Sequence, residues 1–171
     1  MSEPRSAEML RVDQAGEFGA TRIYAGQLAV MGTRGLHSAE IGQMAAQEAV
    51  HAARFDALLA ARRVRPTALQ PLWQVAGFAL GAASAMIGPQ AAMACTAAIE
   101  EEIDRHYTAQ LDELEDRDPE LSGLVESFRG DERAHRAAAL AAGAEQAPFY
   151  PLFSGAIRLG CRLAIRLSEK I

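Results

Sequence analysis

The apolar positions of this chain step by three and four rather than by two. Ile41, Met44, Phe55 and Leu58 share one helical stripe, which Glu48 and His51 interrupt. Leu121, Val125, Phe128 and Ala139 share another, interrupted by Glu132 and His135. Such stepping marks the inward face of a bundle helix. Alanine is abundant, β-branched residues are sparse and no convincing period-two alternation occurs, so the pattern predicts an all-α chain. Helices are expected at about 5–32, 36–63, 70–87, 90–116, 119–143 and 149–170. Breakers divide them: Gly32 and Gly35, Pro66 and Pro71, Gly88-Pro89, Asp118-Pro119, and Gly143 followed by Pro148 and Pro151. No linker or low-complexity run intervenes, so one domain over 1–171 is expected.

Composition changes the picture in three places. A net charge of −5 argues against nucleic acid as a partner, because phosphate binding needs a basic face. The first residues, MSEPRSAEML, lack the basic-then-apolar layout of a secretory signal, and Cys95 and Cys161 make no C-x-x-C, so reduced thiols in a cytoplasmic protein are expected. Residues 66–99 carry no charged side chain at all. A spanning helix needs about 20 apolar residues, but Gln70, Gln74, Gln90 and several prolines and glycines interrupt this stretch. A buried helix pair and a helix lying on a membrane surface stand beside a true span as readings, and the first two are compatible with one another.

Candidate chemistry sits on the interrupted stripes. Positions i and i+3 lie on one side of a helix, so each Glu-x-x-His can aim two ligand atoms at one point. Fifteen glutamates and four histidines yield about 0.35 such pairs by chance, so one match is weak and two are less so. Carboxylates on a core face are costly unless paired or bound to metal. A metal pair in a four-helix bundle needs one more carboxylate from each remaining helix. Glu17 supplies one, on the face of Leu10, Asp13, Ala20, Tyr24 and Leu28. In AAIEEEIDRHY, Glu100 leads onto Ile103, Tyr107, Leu111 and Leu114 and is the inward acid; Glu101 and Glu102 lead onto more polar faces.

The spacing echoes itself. Glu17 to Glu48 is 31 positions and Glu100 to Glu132 is 32, whereas His51 to Glu100 is 49. Each half is a helix hairpin supplying Glu and then Glu-x-x-His, and the surplus is the long crossover of a ferritin-like bundle. One imidazole per metal in a carboxylate-rich site suits iron or manganese better than zinc. Asp13, one turn before Glu17, is expected either to orient a ligand histidine or to be an exposed acid near the helix start. Gly16, Gly19 and Ala20 leave room beside Glu17, for oxygen and a ring edge or for close helix packing.

Five stretches closely resemble the demethoxyubiquinone hydroxylase family: LRVDQAGEFGATRIYAGQ (10–27), QEAVH (47–51), MACTAAIEEEIDRHYTAQL (93–111), FRGDERAH (128–135) and GCRLAIRLSEKI (160–171). Two positions depart from the family's habit: Gln14 stands where many relatives carry histidine, and the Arg133–Arg136 run is less acidic. The resemblance implies a di-iron site held by Glu17, Glu48, His51, Glu100, Glu132 and His135, the six that the stripes select. It also implies a role near the quinone for His106 and Tyr107. The implied reaction is hydroxylation of a demethoxyubiquinone or demethoxyubiquinol ring with O2, two iron ions and an external reductant, NADH among the candidates. A polyprenyl quinone lives in lipid, so peripheral attachment on the cytoplasmic side of the cell membrane is expected. A lipid-binding partner protein of ubiquinone biosynthesis is a further candidate. Arg158, Arg162 and Arg166 beside Ile157, Leu159, Leu163 and Ile165 make the last helix amphipathic and basic, as anionic headgroups would suit. The competing reading is a ferritin-like iron oxidase or peroxidase without a quinone, which would share all six ligands but would not need the lipophilic crossover.

Overall fold

A computed structural model describes residues 3–114 and 117–170. Among them lie α1 (Glu3–Met31), α2 (Ser38–Arg62), α3 (Gln70–Ile87), α4 (Pro89–Leu114), α5 (Pro119–Ala141), a 3-10 turn (Ala144–Gln146) and α6 (Tyr150–Lys170). Local chemistry sets the boundaries. α2 ends where Arg63 turns left-handed at φ 54° and the Val64 amide donates back to the Leu59 carbonyl at 2.9 Å. α5 opens with Asp118, whose side chain accepts from the Leu121 amide at 3.2 Å, followed by Pro119 at the first helical position. The helix expected over 119–143 stops at Ala141, because the chain swings through Gly143 at φ 89° into the 3-10 turn. Residues 115–116, at the expected end of α4, lie outside the described residues.

Two apolar clusters show which way each helix runs. Leu10, Phe55, Leu58, Tyr107, Leu114, Leu121 and Val125 pack together at one end of the bundle. Ala20, Tyr24, Ile41, Met44, Met93, Ala97 and Ala139 pack at the other. α1 and α5 therefore run one way and α2 and α4 the opposite way, so α2 cannot pass straight into α4. α3 makes the return trip, and it is the crossover that the spacing surplus predicts. The result is the expected all-α, ferritin-like four-helix bundle of α1, α2, α4 and α5, with α3 and α6 laid on its outside.

α3 packs most extensively on α1, α6 on α4, and each also touches the other bundle helix. The α1–α3 contact is backbone on backbone. A methyl group on Gly26 would strike the Phe78 carbonyl, one on Gly81 the Ile23 carbonyl, and one on Gly77 would stand 3.0 Å from the Gly19 carbonyl. The uncharged stretch thus has two explanations. Residues 91–100 of α4 are all buried at the centre of the assembly, whereas α3 presents Leu72, Val75, Met86 and Ile87 outward. No helix among the described residues is long and apolar enough to cross a membrane. Two of the three arginines of α6 turn back onto the bundle: Arg158 and Arg162 reach Glu101 and Glu102 of α4, at 3.1 and 3.6 Å. Arg166 stays exposed, as do Leu152, Leu159, Leu163 and Leu167.

Candidate metal centre and its groove

Midway between the two apolar clusters, Glu17, Glu48, His51, Glu100, Glu132 and His135 converge, none more than 4% exposed. One ligand atom each from Glu17, Glu48, His51 and Glu132 lies within 4.8 Å of the others, and the same holds for Glu48, Glu100, Glu132 and His135. Glu48 and Glu132 are common to both groups, so the arrangement has two positions joined by two shared carboxylates. His51 Nδ1 stands 3.2 Å from Glu132 and 3.4 Å from Glu17, and His135 Nδ1 stands 3.0 Å from Glu48.

Eight atoms of these residues face inward, buried and without a hydrogen-bond partner: one oxygen of Glu17, one of Glu100, both of Glu48, both of Glu132, and the Nδ1 of each histidine. Orphaned buried polar groups are rare and costly. Six side chains turning unpartnered oxygens and nitrogens toward one another make a donor set that could hold a pair of hard cations. The electrostatics agree. Burial, then the charge of Glu48, pushes the Glu17 carboxyl well above the carboxylate range, and burial, then Glu132, does the same to Glu100.

The outward atoms are all held. His51 Nε2 donates to Asp131 at 3.1 Å and His135 Nε2 donates to Gln47 at 2.9 Å, which turns both Nδ1 atoms inward. Tyr107 of α4 donates to Glu17 of α1, and Tyr24 of α1 donates to Glu100 of α4. Phe128 stacks on His51 at 3.9 Å between ring centroids. Asp13 does not orient a ligand histidine, nor is it exposed. It is buried, accepting from His106 at 3.2 Å and from Gln110 at 2.7 Å.

The family model of the ubiquinone biosynthesis protein COQ7 matches residues 4–168. The chain belongs to the COQ7 family. It is similar to the 3-demethoxyubiquinol 3-hydroxylase of Rhodospirillum rubrum, 56% identical over 95% of this chain and 76% of the relative. It is also similar to the human NADPH-dependent 3-demethoxyubiquinone 3-hydroxylase, 47% identical with the same coverage of both chains. The 5-demethoxyubiquinone hydroxylase of Saccharomyces cerevisiae is 38% identical, over 95% of this chain and 77% of the relative.

In this COQ7-family chain a groove of about 540 Å³ runs outside the bundle between α1, α3, α4 and α6. Gly16, Gly19, Ala20, Ile99 and Ile103 form its inner wall, at the level of Glu17 and Glu100. A Cβ on Gly16 or Gly19 would meet nothing within 4 Å, so on their own side these two glycines face open space. His106 and Tyr107 do not line the groove; they touch Asp13 and Glu17 respectively.

Sequence reasoning missed three sets of residues. Gln47 and Asp131 each precede the glutamate of a Glu-x-x-His, and a polar residue at that matching position twice is a readable signal. Tyr107 is already a candidate in the sequence, but its counterpart Tyr24 is not, although each follows a terminal glutamate by seven positions and the repeat is readable. Glu102, assigned to a polar face, is 2% exposed and lines the groove under α6.

Proposed function

We propose that the chain is a di-iron monooxygenase that hydroxylates the ring of a demethoxyubiquinol or demethoxyubiquinone. The observation that carries the reading is an apolar groove of about 540 Å³ that runs along α1 and α4 at the level of Glu17 and Glu100. The names of the relatives, the carboxylate-rich donor set and the family membership support it. A ring C–H becomes C–OH with one atom of O2, and the second atom leaves as water. Two electrons and two protons come from an external reductant, a reduced nicotinamide dinucleotide being the candidate that the human relative's name suggests.

Bound by Glu17, Glu48, His51, Glu100, Glu132 and His135, a pair of ferrous ions would supply the redox chemistry that activates dioxygen. The protein's own part is placement and exclusion. Asp131 and Gln47 fix the imidazole orientations, and Tyr107 and Tyr24 steady the two terminal carboxylates. The apolar clusters above and below keep bulk water from the oxidant. The groove offers a lipophilic ring a dry seat beside the metals. The exposed leucines of α6 and the apolar residues of α3 flank that groove, and they suit peripheral attachment to the bilayer where such a substrate resides.

Anaerobic reconstitution with ferrous iron, followed by isotopically labelled oxygen and a short-tail demethoxyquinol, tests the reading by mass spectrometry. One labelled oxygen atom in the ring is the expected result. Iron oxidation with an unaltered ring would favour the quinone-free iron oxidase instead. Flotation with anionic vesicles tests attachment: protein that stays at the bottom of the gradient at low salt defeats the membrane proposal.

A further inference from the structure

The groove has 21 lining residues, and only Trp73, Glu102, Cys161 and Ser168 carry polar side chains. Three of these are already accounted for. Trp73 Nε1 donates to Ser168 Oγ at 3.1 Å, so that pair satisfies itself. Burial, then the charge of Glu102, pushes the Cys161 thiol up to about 12, which keeps it protonated and inert. Glu102 remains. Its side chain is 2% exposed, and Arg105 holds it at 3.0 and 3.3 Å with Arg162 farther off at 3.6 Å. Both arginines lie outside the lining and are about half exposed, so they reach the carboxylate from the solvent side. A carboxylate offers about four acceptor sites, and these contacts leave capacity unused.

A staple between α4 and α6 does not explain why this acid is buried. Glu101, the next residue, already ties α4 to Arg158 at 3.1 Å and to Arg136 at 3.4 Å with a quarter of its side chain in water. Glu102 is paired too, but burying an acid is costly even when it is paired, and the same tie is available at the surface.

We propose that Glu102 selects the redox form of the ring. Its carboxylate accepts a hydrogen bond from a phenolic hydroxyl of a quinol seated in the groove, and it disfavours the dione. This rests on the function proposed above and deepens it. A quinol hydroxyl is a donor and finds an anionic acceptor in a dry site, where such bonds are strongest. A dione presents only acceptors, so carboxylate and carbonyl oxygens would face each other with no proton between them. Sites built around one hydrogen-bonding group discriminate strongly against the analogue that lacks its partner. Glu102 is thereby a specificity residue for the head group, separate from the six metal-facing side chains.

The test measures binding of a short-tail demethoxyquinol and of its dione, separately and under argon. The full chain is used with zinc in the metal positions, which keeps either ring from being converted. The native protein is expected to favour the quinol by a factor on the order of 10 to 100, the worth of one charged hydrogen bond. Glu102→Gln, which keeps the shape and offers both donor and acceptor, is expected to bring the ratio near one. Arg162→Gln, which weakens the staple but leaves the carboxylate, is expected to keep it. A native ratio near one overturns the inference, and so does a preference that survives in Glu102→Gln or vanishes equally in Arg162→Gln. The native ratio decides by itself if Glu102→Gln does not fold. Failure of the native chain to bind either form overturns the proposed function as well.

Discussion

Removing metal from the centre and neutralising its carboxylates one at a time produces shifts of opposite sign. Without a cation, Glu17 and Glu100 hold their carboxyls well above the usual range, because burial and neighbouring charges oppose ionisation. A raised carboxyl costs stability at any pH above its ordinary value. Glu17→Gln or Glu100→Gln therefore raises the melting temperature of the metal-free chain. Glu48 behaves differently. Burial would raise its carboxyl, but the His135 and His51 imidazoles beside it, at 3.0 and 3.7 Å, outweigh that and hold it at about 2. Glu48→Gln strands both imidazoles and lowers the metal-free melting temperature. Loading reverses the order. At 100 times its dissociation constant each ion adds about 2.7 kcal/mol. Two independent ions add about 5 kcal/mol, which for a domain of this size is roughly 10–20 °C. Glu17 and Glu100 each belong to one four-atom group and Glu48 to both. The terminal variants thus keep about one ion and half the shift, and Glu48→Gln loses both. Anaerobic calorimetry with ferrous iron, paired with metal analysis, reads all of these. Equal metal responses in Glu17→Gln and Glu48→Gln, or no shift in the native chain, would refute the argument.

Metal loading is expected to expel protons. Burial would lower both histidines, yet the carboxylates around them, Glu132 foremost, raise His51 to about 12 and His135 to about 9. Both imidazoles are protonated at neutral pH in the metal-free chain, so apparent affinity rises with pH, more gently beyond about 9 where only the His51 proton is left to expel; calorimetry in buffers of different ionisation heat measures the release. Two glycines should answer alanine with opposite signs in urea unfolding: Gly81→Ala drives a methyl into the Ile23 carbonyl and costs about 1–3 kcal/mol, whereas Gly16→Ala gains about 0.5–1 kcal/mol because nothing stands within 4 Å. Gly19→Leu fills the inner wall of the groove, so kcat/KM for a short-tail substrate should fall while two ions per chain are retained. Normal turnover in that variant would mean that the ring does not sit there.

The bundle was readable because its information is local. A three-and-four stripe broken by one Glu-x-x-His needs only one helix to be noticed, and the 49-position step from His51 to Glu100 predicts a crossover without any knowledge of where it packs. Partners chosen across helices were not readable in that way. Asp13 sits one turn from Glu17 and looks placed to serve a ligand histidine, but α4 brings His106 and Gln110 closer. Asp131 and Gln47 take His51 and His135 instead, because antiparallel packing sets the residue before one motif beside the imidazole of the other.

Glu102 shows the physical reason most sharply. Reading one stripe assumes that a helix has a wet side, and by that rule the residue two positions after Glu100, turned about 200° around the axis, belongs in solvent. α4 has less of a wet side than the rule supposes. It faces the metal centre with Glu100 and the groove with Ile99, Glu102 and Ile103, because α6 folds back over it. The second buried face exists only after a helix sixty residues downstream has docked, and that helix is held partly by the acids it covers, Glu101 through Arg158 and Glu102 through Arg162. A polar residue on a helix sandwiched between two layers is therefore better judged by what covers it than by the stripe of its own helix. Here the cover creates an apolar wall, and among the described residues Glu102 is the one acid left in it.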